Sequence, residues 1–203
     1  MADITLFGNR HSGHSYKVRL FLALTNTPHS YETIDLMQPR AERSAHFREN
    51  ARYNEVPLLI VDGQSFVQSN AILLYLAEKF GTMDGGTAQP QVVEWLMWEQ
   101  SRIGSSLPNL RFERKFKNNT DPAVLSWLEG RLRDDLDVLK NHLAEGTGFM
   151  VADEPTIADC ATAGYLYWLD DAGFEIEDWP QISAWLTRMS QLEGWQHPDM
   201  LMV

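Results

Sequence analysis

The chain has 203 residues, of which 44% are hydrophobic and 22% are charged, a balance typical of a globular protein with one large domain or two small ones. Its formal net charge of −11 would repel phosphate backbones, which excludes nucleic acid as an expected partner. The sequence has no apolar run near the ~18 residues of a transmembrane helix, no secretory signal pattern and one cysteine, Cys160, so we expect a cytoplasmic protein that does not associate with membranes.

The first 80 residues alternate between segments typical of strands and segments typical of helices. The strand segments are short and rich in β-branched or alternating residues, whereas the helical segments have apolar residues three and four positions apart. The predicted strands are 4–8, 30–36, 57–61 and 65–68, and the predicted helices are 15–25, Ala45–Asn50 and 71–80. This β-α-β-α-β-β-α order predicts an α/β sheet domain over residues 1–81.

Turn and capping residues mark several of these boundaries. Asp62-Gly63 is a strong signal for a tight hairpin between the last two strands. Ser15 is the expected N-cap of the first helix, and either Ser69 or Asn70 is the expected N-cap of the third.

The composition changes after Gly81. Residues 82–88 belong to a segment rich in Gly and Thr and are predicted to form a linker. Beyond the linker we find no convincing strand, and the helical patterns cover 91–107 with an extension to Phe112, 121–146, 156–173 and 179–195. The sequence therefore predicts a second, all-helical domain over residues 89–203.

Thr156-Ile157-Ala158-Asp159 opens one of these helices with the pattern of a capping box. The Thr156 hydroxyl is expected to accept from the Asp159 N–H, and the Asp159 carboxylate from the Thr156 N–H. An acidic side chain in the first turn also suits the helix dipole. We interpret this motif as structural.

Residues 9–17, NRHSGHSYK, lie between the first strand and the first helix, where open α/β sheets bind ligands. Ser12 and Ser15 are candidate nucleophiles or helix caps, and His11 and His14 are candidate bases or surface residues. A Ser-His-Asp hydrolase is conceivable from these residues, although the G-x-S-x-G elbow is absent.

Two further motifs flank the predicted hairpin. Val56-Pro57 either only opens a strand, as proline does, or forms a cis turn that presents the Val56 backbone to an extended ligand. Gln68-Ser69 either ends a strand and caps a helix, or provides donors beside a helix N-terminus, which is a favourable carboxylate site.

In combination, these motifs resemble those of a cytosolic glutathione transferase over essentially the whole chain. The resemblance rests on SGHSYKVRLFLAL, VPLLIVDG and QSNAILLYLAEKF in the first half and on TIADCATAGYLYWL in the second. It implies a thioredoxin-like N-terminal domain and a helical C-terminal domain. The subgroup it favours is that of bacterial serine-type members related to the theta, zeta and nu groups.

The resemblance also implies roles for individual residues. Pro57 would be cis, the Val56 backbone would pair with the cysteinyl part of glutathione, and Gln68 and Ser69 would hold the γ-glutamyl end. Ser12 would face the thiol, with Ser15 as the second candidate. Where relatives often have Gln or Lys, this chain has Glu55, which cannot donate to the glycyl carboxylate. That role would pass to Arg40 or Arg52.

The resemblance implies an enzyme that activates the glutathione thiol as a thiolate and conjugates it to small hydrophobic electrophiles, as in detoxification. Glutathione would be a substrate, no metal would be needed, and the chain would form a homodimer. The electrophile would occupy a pocket formed by Asn9, His11, Trp98, Arg102, Ser105 and Arg111. The alternatives are a glutathione-dependent disulfide reductase or peroxidase, and a non-catalytic binding protein of the same fold.

Overall fold

The computed structural model describes residues 2–117, 119–146 and 148–203. The chain forms two compact units: one runs to Gly81 and also contains Leu192–Val203, and the other is Thr82–Gln191. The boundary at Gly81 lies where the composition changes. The last residues differ from the sequence expectation, which placed all of 89–203 in one helical domain.

The first unit contains a four-stranded mixed sheet in the order β2-β1-β3-β4. Its strands are β1 (Ile4–Gly8), β2 (Ser30–Thr33), β3 (Leu58–Val61) and β4 (Gln64–Val67), and its helices are α1 (Gly13–Leu24), α2 (Ala45–Asn50) and α3 (Ser69–Phe80). Strands β1 and β2 are parallel, whereas β3 is antiparallel to both β1 and β4. The thioredoxin-like β-α-β-α-β-β-α order predicted from the sequence is confirmed.

Local sequence explains most of these elements. Asp62 and Gly63 both have positive φ angles, 50° and 81°, as a two-residue hairpin turn requires. α3 ends at Gly81 in the left-handed conformation, the usual helix C-cap. Buried side chains of β1, α2 and β3 form one core, in which Phe7 packs with Phe47 and Leu58.

The second unit is helical, as the sequence predicts. Its helices are α4 (Gln89–Ser101), α5 (Ile103–Lys115), α6 (Pro122–Glu145), α7 (Ile157–Ala163) and α8 (Pro180–Met189). α6 begins with Pro122 after Asp121, whose side chain accepts from the Ala123 N–H. In the part of the chain that the structure describes, no helix is both long and apolar enough to cross a membrane.

The pattern over 91–107 is not one helix. Arg102, with φ −118° and ψ −103°, separates α4 from α5. The buried Glu99 carboxylate folds against Gly104, where an added Cβ would overlap it. The apolar periodicity passes through this turn unchanged, so spacing alone predicted a continuous helix.

The patterns over 156–173 and 179–195 also give shorter helices. α7 ends at Ala163 and short 3₁₀ turns follow it at Leu166–Trp168 and Asp170–Ala172. α8 ends at Met189, and Gly194 has a φ of 83°, which is outside helical geometry. After α8 the chain enters the first unit, where it forms α9 (Pro198–Leu201).

The capping box at the start of α7 is confirmed, with both reciprocal bonds present. The fully buried Asp159 carboxylate accepts from the Thr156 N–H at 2.8 Å, the Met150 N–H at 2.8 Å and the Trp185 Nε1–H at 2.9 Å. Because these donors belong to separate segments, the carboxylate ties α8 and the preceding loop to the start of α7.

Candidate active site

The sheet brings three of the sequence motifs to one edge. Phe7 in β1 lies opposite Leu58 in β3, which in turn lies opposite Val67 in β4. Because β3 is antiparallel to both neighbours, its start meets the ends of β1 and β4 at the same edge. The motifs that follow or precede these strand ends are Ser12, Val56-Pro57 and Gln68-Ser69.

Ser12, and not Ser15, is the N-cap of α1. It has an extended backbone, and its Oγ accepts from the Ser15 N–H at 3.1 Å. The prediction of Ser15 as N-cap was wrong, because the helix begins at Gly13 and Ser15 occupies its first turn. A hydroxyl that accepts one bond keeps its own hydrogen for donation. The Ser12 O–H can therefore donate to a ligand atom that lies beyond the N-terminus of α1.

Ser15 points toward the sheet. It is fully buried, and its Cβ lies 3.0 Å from the position of an added Cβ on Gly8, which would also be 2.8 Å from the Tyr31 hydroxyl oxygen. The Ser15 Oγ has no hydrogen-bond partner among the residues that the structure describes. Of the two serines, Ser12 is the one at the junction between the loop after β1 and the start of α1.

The Ser12 N–H donates to the Asn9 carbonyl, and Ser12 accepts from the N–H groups of Ser15 and Tyr16. These bonds do not test the serine-hydrolase hypothesis, which stays a hypothesis. Burial, followed by the nearby charge of Lys17, lowers the pKa of His14 well below its usual value. His14 is therefore neutral near pH 7 and does not provide a positive charge to an anion there.

The Val56–Pro57 peptide bond is cis, as the resemblance implied. Pro57 is buried immediately before β3. Within residues 2–117, 119–146 and 148–203, neither the N–H nor the carbonyl of Val56 takes part in the backbone hydrogen bonds of loops and turns. Both backbone groups of Val56 can therefore pair with an extended ligand.

Gln68 has an unusual backbone conformation. Its φ of 71° and ψ of 111° lie in a region of backbone conformation that residues other than glycine rarely adopt. Gln68 is the N-cap residue of α3, so the prediction of Ser69 or Asn70 was wrong, and among the described residues no side chain caps this helix. The start of α3 thus lacks a side-chain cap among the residues that the structure describes, and the buried Ser69 lies in its first turn.

Two family models match the chain: "Glutathione S-transferase, N-terminal domain" over residues 2–78, and "Glutathione S-transferase, C-terminal domain" over residues 111–188. A crystal structure of a possible glutathione S-transferase from Rhodopseudomonas palustris is 30% identical in sequence, with a TM-score of 0.86, and the match covers 97% of this chain and 98% of that one. The chain belongs to the glutathione S-transferase family.

Other relatives extend this result. Glutathione S-transferase F9 of Arabidopsis thaliana is 25% identical over 193 residues, which is 88% of this chain and 89% of the plant protein. A glutathione transferase homologue from Lodderomyces elongisporus, solved with two glutathione molecules per subunit, is 20% identical and has a TM-score of 0.86 over 98% of both chains. At that identity the likeness establishes a shared fold.

The transferase family often carries a donor where this chain has Glu55, and the structure shows what surrounds that carboxylate. Arg40 lies 3.9 Å from Glu55, and both side chains are more than half exposed. Arg52 is exposed as well. Arg43, which sequence reasoning missed, is buried and donates to the carbonyls of Asn54 at 2.6 Å and Leu36 at 3.3 Å. These two bonds connect Arg43 to the backbone next to Glu55 and to the segment that follows β2.

Asn9 and His11, expected in the electrophile pocket, are part of a structured loop. The Asn9 amide donates to the Ile34 carbonyl at 2.7 Å, and its oxygen accepts from the His11 N–H at 2.9 Å. Asn9 is buried and ties the loop after β1 to the end of β2. His11 is exposed.

The remaining pocket candidates of this chain lie in the second unit. Trp98 packs edge-on against Trp95, with 5.0 Å between ring centroids, and the partly exposed Ser105 lies in α5 near the exposed Arg102. Arg111 is different, because it is buried and its Nε donates to Asp171 at 2.8 Å. This ion pair gives Arg111 a structural role within the unit, and the pocket assignment of all four residues stays a prediction.

The Asp171 carboxylate also accepts from the Lys115 ammonium at 2.7 Å. Burial alone would raise the pKa of Asp171, but the hydrogen bonds from Lys115 and Arg111 outweigh it and lower that pKa.

Cys160 is buried in α7, and burial raises the pKa of its thiol far above the usual value. It is not a reactive thiol. Among the described residues, no group of three or more His, Cys, Asp or Glu side chains is arranged to hold a metal ion.

Proposed function

We propose that this protein is a serine-type glutathione transferase that binds glutathione at the edge of the sheet and activates its thiol with Ser12. The observation that carries the proposal is the register of the sheet. It brings a hydroxyl donor, an available backbone strand and an uncapped helix N-terminus to one edge. Those three features match the three parts of glutathione: a thiol, a peptide backbone and an α-carboxylate.

The carboxylate end of glutathione binds at α3. The first N–H groups of this helix have no side-chain cap, and the positive end of the helix dipole favours an anion there. The Ser69 hydroxyl and the Gln68 amide add donors. The Val56 N–H and carbonyl pair with the cysteinyl residue in the manner of a β-bridge, which places the sulfur toward the loop that holds Ser12.

The Ser12 O–H stabilises the thiolate. A free thiol has a pKa of about 8.5, so a pKa near 7 requires about 2 kcal/mol of preferential stabilisation of the anion. A hydrogen bond to a charged acceptor contributes roughly 1.5–3 kcal/mol, and the N-terminus of α1 adds about 0.3–1 kcal/mol. The thiol proton leaves to solvent, and the sulfur lone pair then forms a bond to the electrophile. Serine remains a hydrogen-bond donor throughout.

Two further assignments belong to this proposal. Arg40 and Arg52 are the candidates that bind the glycyl carboxylate, because Glu55 offers no donor. The second substrate is a small hydrophobic electrophile, and its contacts with the pocket residues named from the sequence stay a prediction.

The family membership also supports a homodimer. Light scattering coupled to size-exclusion chromatography should give twice the mass of 23.2 kDa. A monomer at micromolar concentration would refute the dimer.

The test of thiol activation is a pH titration of bound glutathione that follows thiolate absorbance. The wild type should lower the pKa of the bound thiol below that of free glutathione, and Ser12→Ala should raise it again by about 1–2 units. Ser15→Ala is the matched variant, and it should leave the pKa of the bound thiol unchanged because the Ser15 side chain is fully buried against Gly8 of β1.

Other outcomes separate the alternatives. A pKa that rises in Ser15→Ala and not in Ser12→Ala would transfer the role to Ser15. Binding without any lowering of the pKa would indicate a non-catalytic glutathione-binding protein, and the absence of binding would overturn the proposal.

A further inference from the structure

The segment Leu192–Val203 packs on α1 within the first unit. It contacts α1 through Tyr16, Arg19 and Ala23, which lie three and four residues apart and so share one face of the helix. The Tyr16 hydroxyl donates to the Gln196 carbonyl at 3.0 Å, and an Arg19 guanidinium nitrogen donates to the Val203 carbonyl at 3.3 Å.

Gly194 packs closely against the last turn of α1. Its φ is 83°, and an added Cβ would overlap the Ala23 carbonyl oxygen. Leu201 and Met202 are buried, so the segment is anchored by apolar packing as well as by hydrogen bonds. The contact therefore extends from the first turn of α1 to its last.

Tyr16 connects this contact to Ser12. Its ring is fully buried, and its backbone N–H donates to the Ser12 carbonyl at 3.0 Å. The Ser15 N–H, one residue earlier, donates to the Ser12 Oγ at 3.1 Å. Terminal turns of helices fray readily, and both bonds to Ser12 belong to the first turn of α1. The hydrogen bond from the Tyr16 hydroxyl to Gln196 holds Tyr16 in place. It therefore also restrains Ser12, to which the first turn of α1 is bonded.

We propose that the Tyr16–Gln196 hydrogen bond makes Tyr16 a positioning residue for Ser12, so that Leu192–Val203 acts as a clamp on the first turn of α1. Tyr16 does not touch the thiol. It acts by holding the turn in which Ser12 is the cap. This inference rests on the proposed role of Ser12 in thiol activation.

The test compares Tyr16→Phe with Thr25→Val. Tyr16→Phe keeps the buried ring and removes only the hydroxyl. Thr25→Val removes a hydroxyl that donates to the Phe21 carbonyl at 2.9 Å, at the opposite end of the same helix. Tyr16→Phe should raise the pKa of the bound glutathione thiol by about half a unit and reduce kcat several-fold more than it changes KM for glutathione. Thr25→Val should change neither, although it removes a comparable bond.

Amide hydrogen exchange gives a second readout that needs no ligand. The Ser15 and Tyr16 amides should exchange several-fold faster in Tyr16→Phe than in the wild type. They should do so also in Gly194→Ala, which displaces the clamp by a steric overlap at the last turn of α1, away from Ser15 and Tyr16. Thr25→Val should leave those amides protected.

The possible failures are distinguishable. A wild-type enzyme that does not lower the pKa of the bound thiol overturns the proposed function itself. Normal thiol activation in the wild type, with an unchanged pKa and unchanged amide exchange in Tyr16→Phe, overturns the clamp alone. An equal response in Thr25→Val would also overturn it, because the effect would then reflect general loss of helix stability.

Discussion

The N-termini of α3 and α7 differ in whether side chains cap them. Each helix begins with backbone N–H groups that have no partner inside the helix. At α7 the side chains of Thr156 and Asp159 form a capping box that is almost completely buried. At α3 no side chain caps the helix, and the Gln68 backbone before it is in a rare conformation.

This difference separates residues that serve stability from residues available to a ligand. At α7 the side chains of Thr156 and Asp159 accept hydrogen bonds from the backbone N–H groups, so these groups are not available to a ligand. Among the described residues α3 has no side-chain cap, and it begins at the edge of the sheet where β4 ends. A rare backbone conformation beside a helix start without a side-chain cap is a pattern also found at binding sites.

The largest expected effect is a loss of stability at the capped start of α7. Asp159→Ala should lower the free energy of unfolding by about 3–5 kcal/mol, because it leaves buried donors from Met150, Thr156 and Trp185 without an acceptor. Urea unfolding followed by tryptophan fluorescence measures this loss. Where the variant remains folded, its dissociation constant for glutathione should stay within about two-fold of wild type; a selective loss of glutathione binding would contradict the division between the two helix starts.

Ser69→Ala makes the reciprocal change at α3. It should weaken glutathione binding by about 10–100-fold, the value of a hydrogen bond to a charged group, and it should leave the urea midpoint nearly unchanged. Isothermal titration calorimetry gives the affinity. If stability falls while affinity is retained, Ser69 is a structural residue and α3 does not hold the carboxylate.

Gln68→Gly should separate strain from binding at one residue. Glycine adopts a φ of 71° without steric cost, so we expect the free energy of unfolding to rise by about 1 kcal/mol. Glutathione affinity should fall, because the amide donor is lost. Urea midpoints and calorimetry on the same preparation test both signs, and a less stable variant would show that the backbone at Gln68 is not strained.

The smallest effect concerns the pH dependence of the second unit. The pKa of Asp171 is lowered in the folded protein, so its stabilising contribution is present above the unfolded pKa of about 3.9 and is lost as the pH falls through the folded value. Asp171→Asn should remove this dependence, with a change on the order of 1 kcal/mol. Urea midpoints of the two proteins should converge as the pH is lowered from about 5 to about 3; parallel curves would mean that Asp171 does not titrate with unfolding.

Local chemistry made much of the fold predictable. Asp62-Gly63 specifies a hairpin, Pro122 suits the first turn of α6, and Thr156 with Asp159 specifies a capping box, each from a few adjacent residues. The order of the elements along the chain was predicted from the sequence, whereas the strand order β2-β1-β3-β4 within the sheet was not. The position of the candidate site was predicted from the strand ends that precede Ser12 and Gln68-Ser69, and it stays a prediction.

Features that depend on distant residues were not predictable in the same way. Ser12 and Ser15 are both good capping residues, and only the start of α1 distinguishes them. The break at Arg102 depends on how the buried Glu99 meets Gly104, which apolar spacing does not report. No residue near Tyr16 in the sequence indicates its role, since its partner Gln196 lies 180 residues away.

The order in which the chain is synthesised gives the packing of Leu192–Val203 a further meaning. Domains generally fold as units during synthesis, with the N-terminal one first. Here the first unit includes residues that are translated only after the whole of Thr82–Gln191. Its sheet and helices can assemble early on the ribosome, but α1 receives its last contacts after the helical unit has emerged. Completion of the first unit is therefore a late event in the biogenesis of this protein.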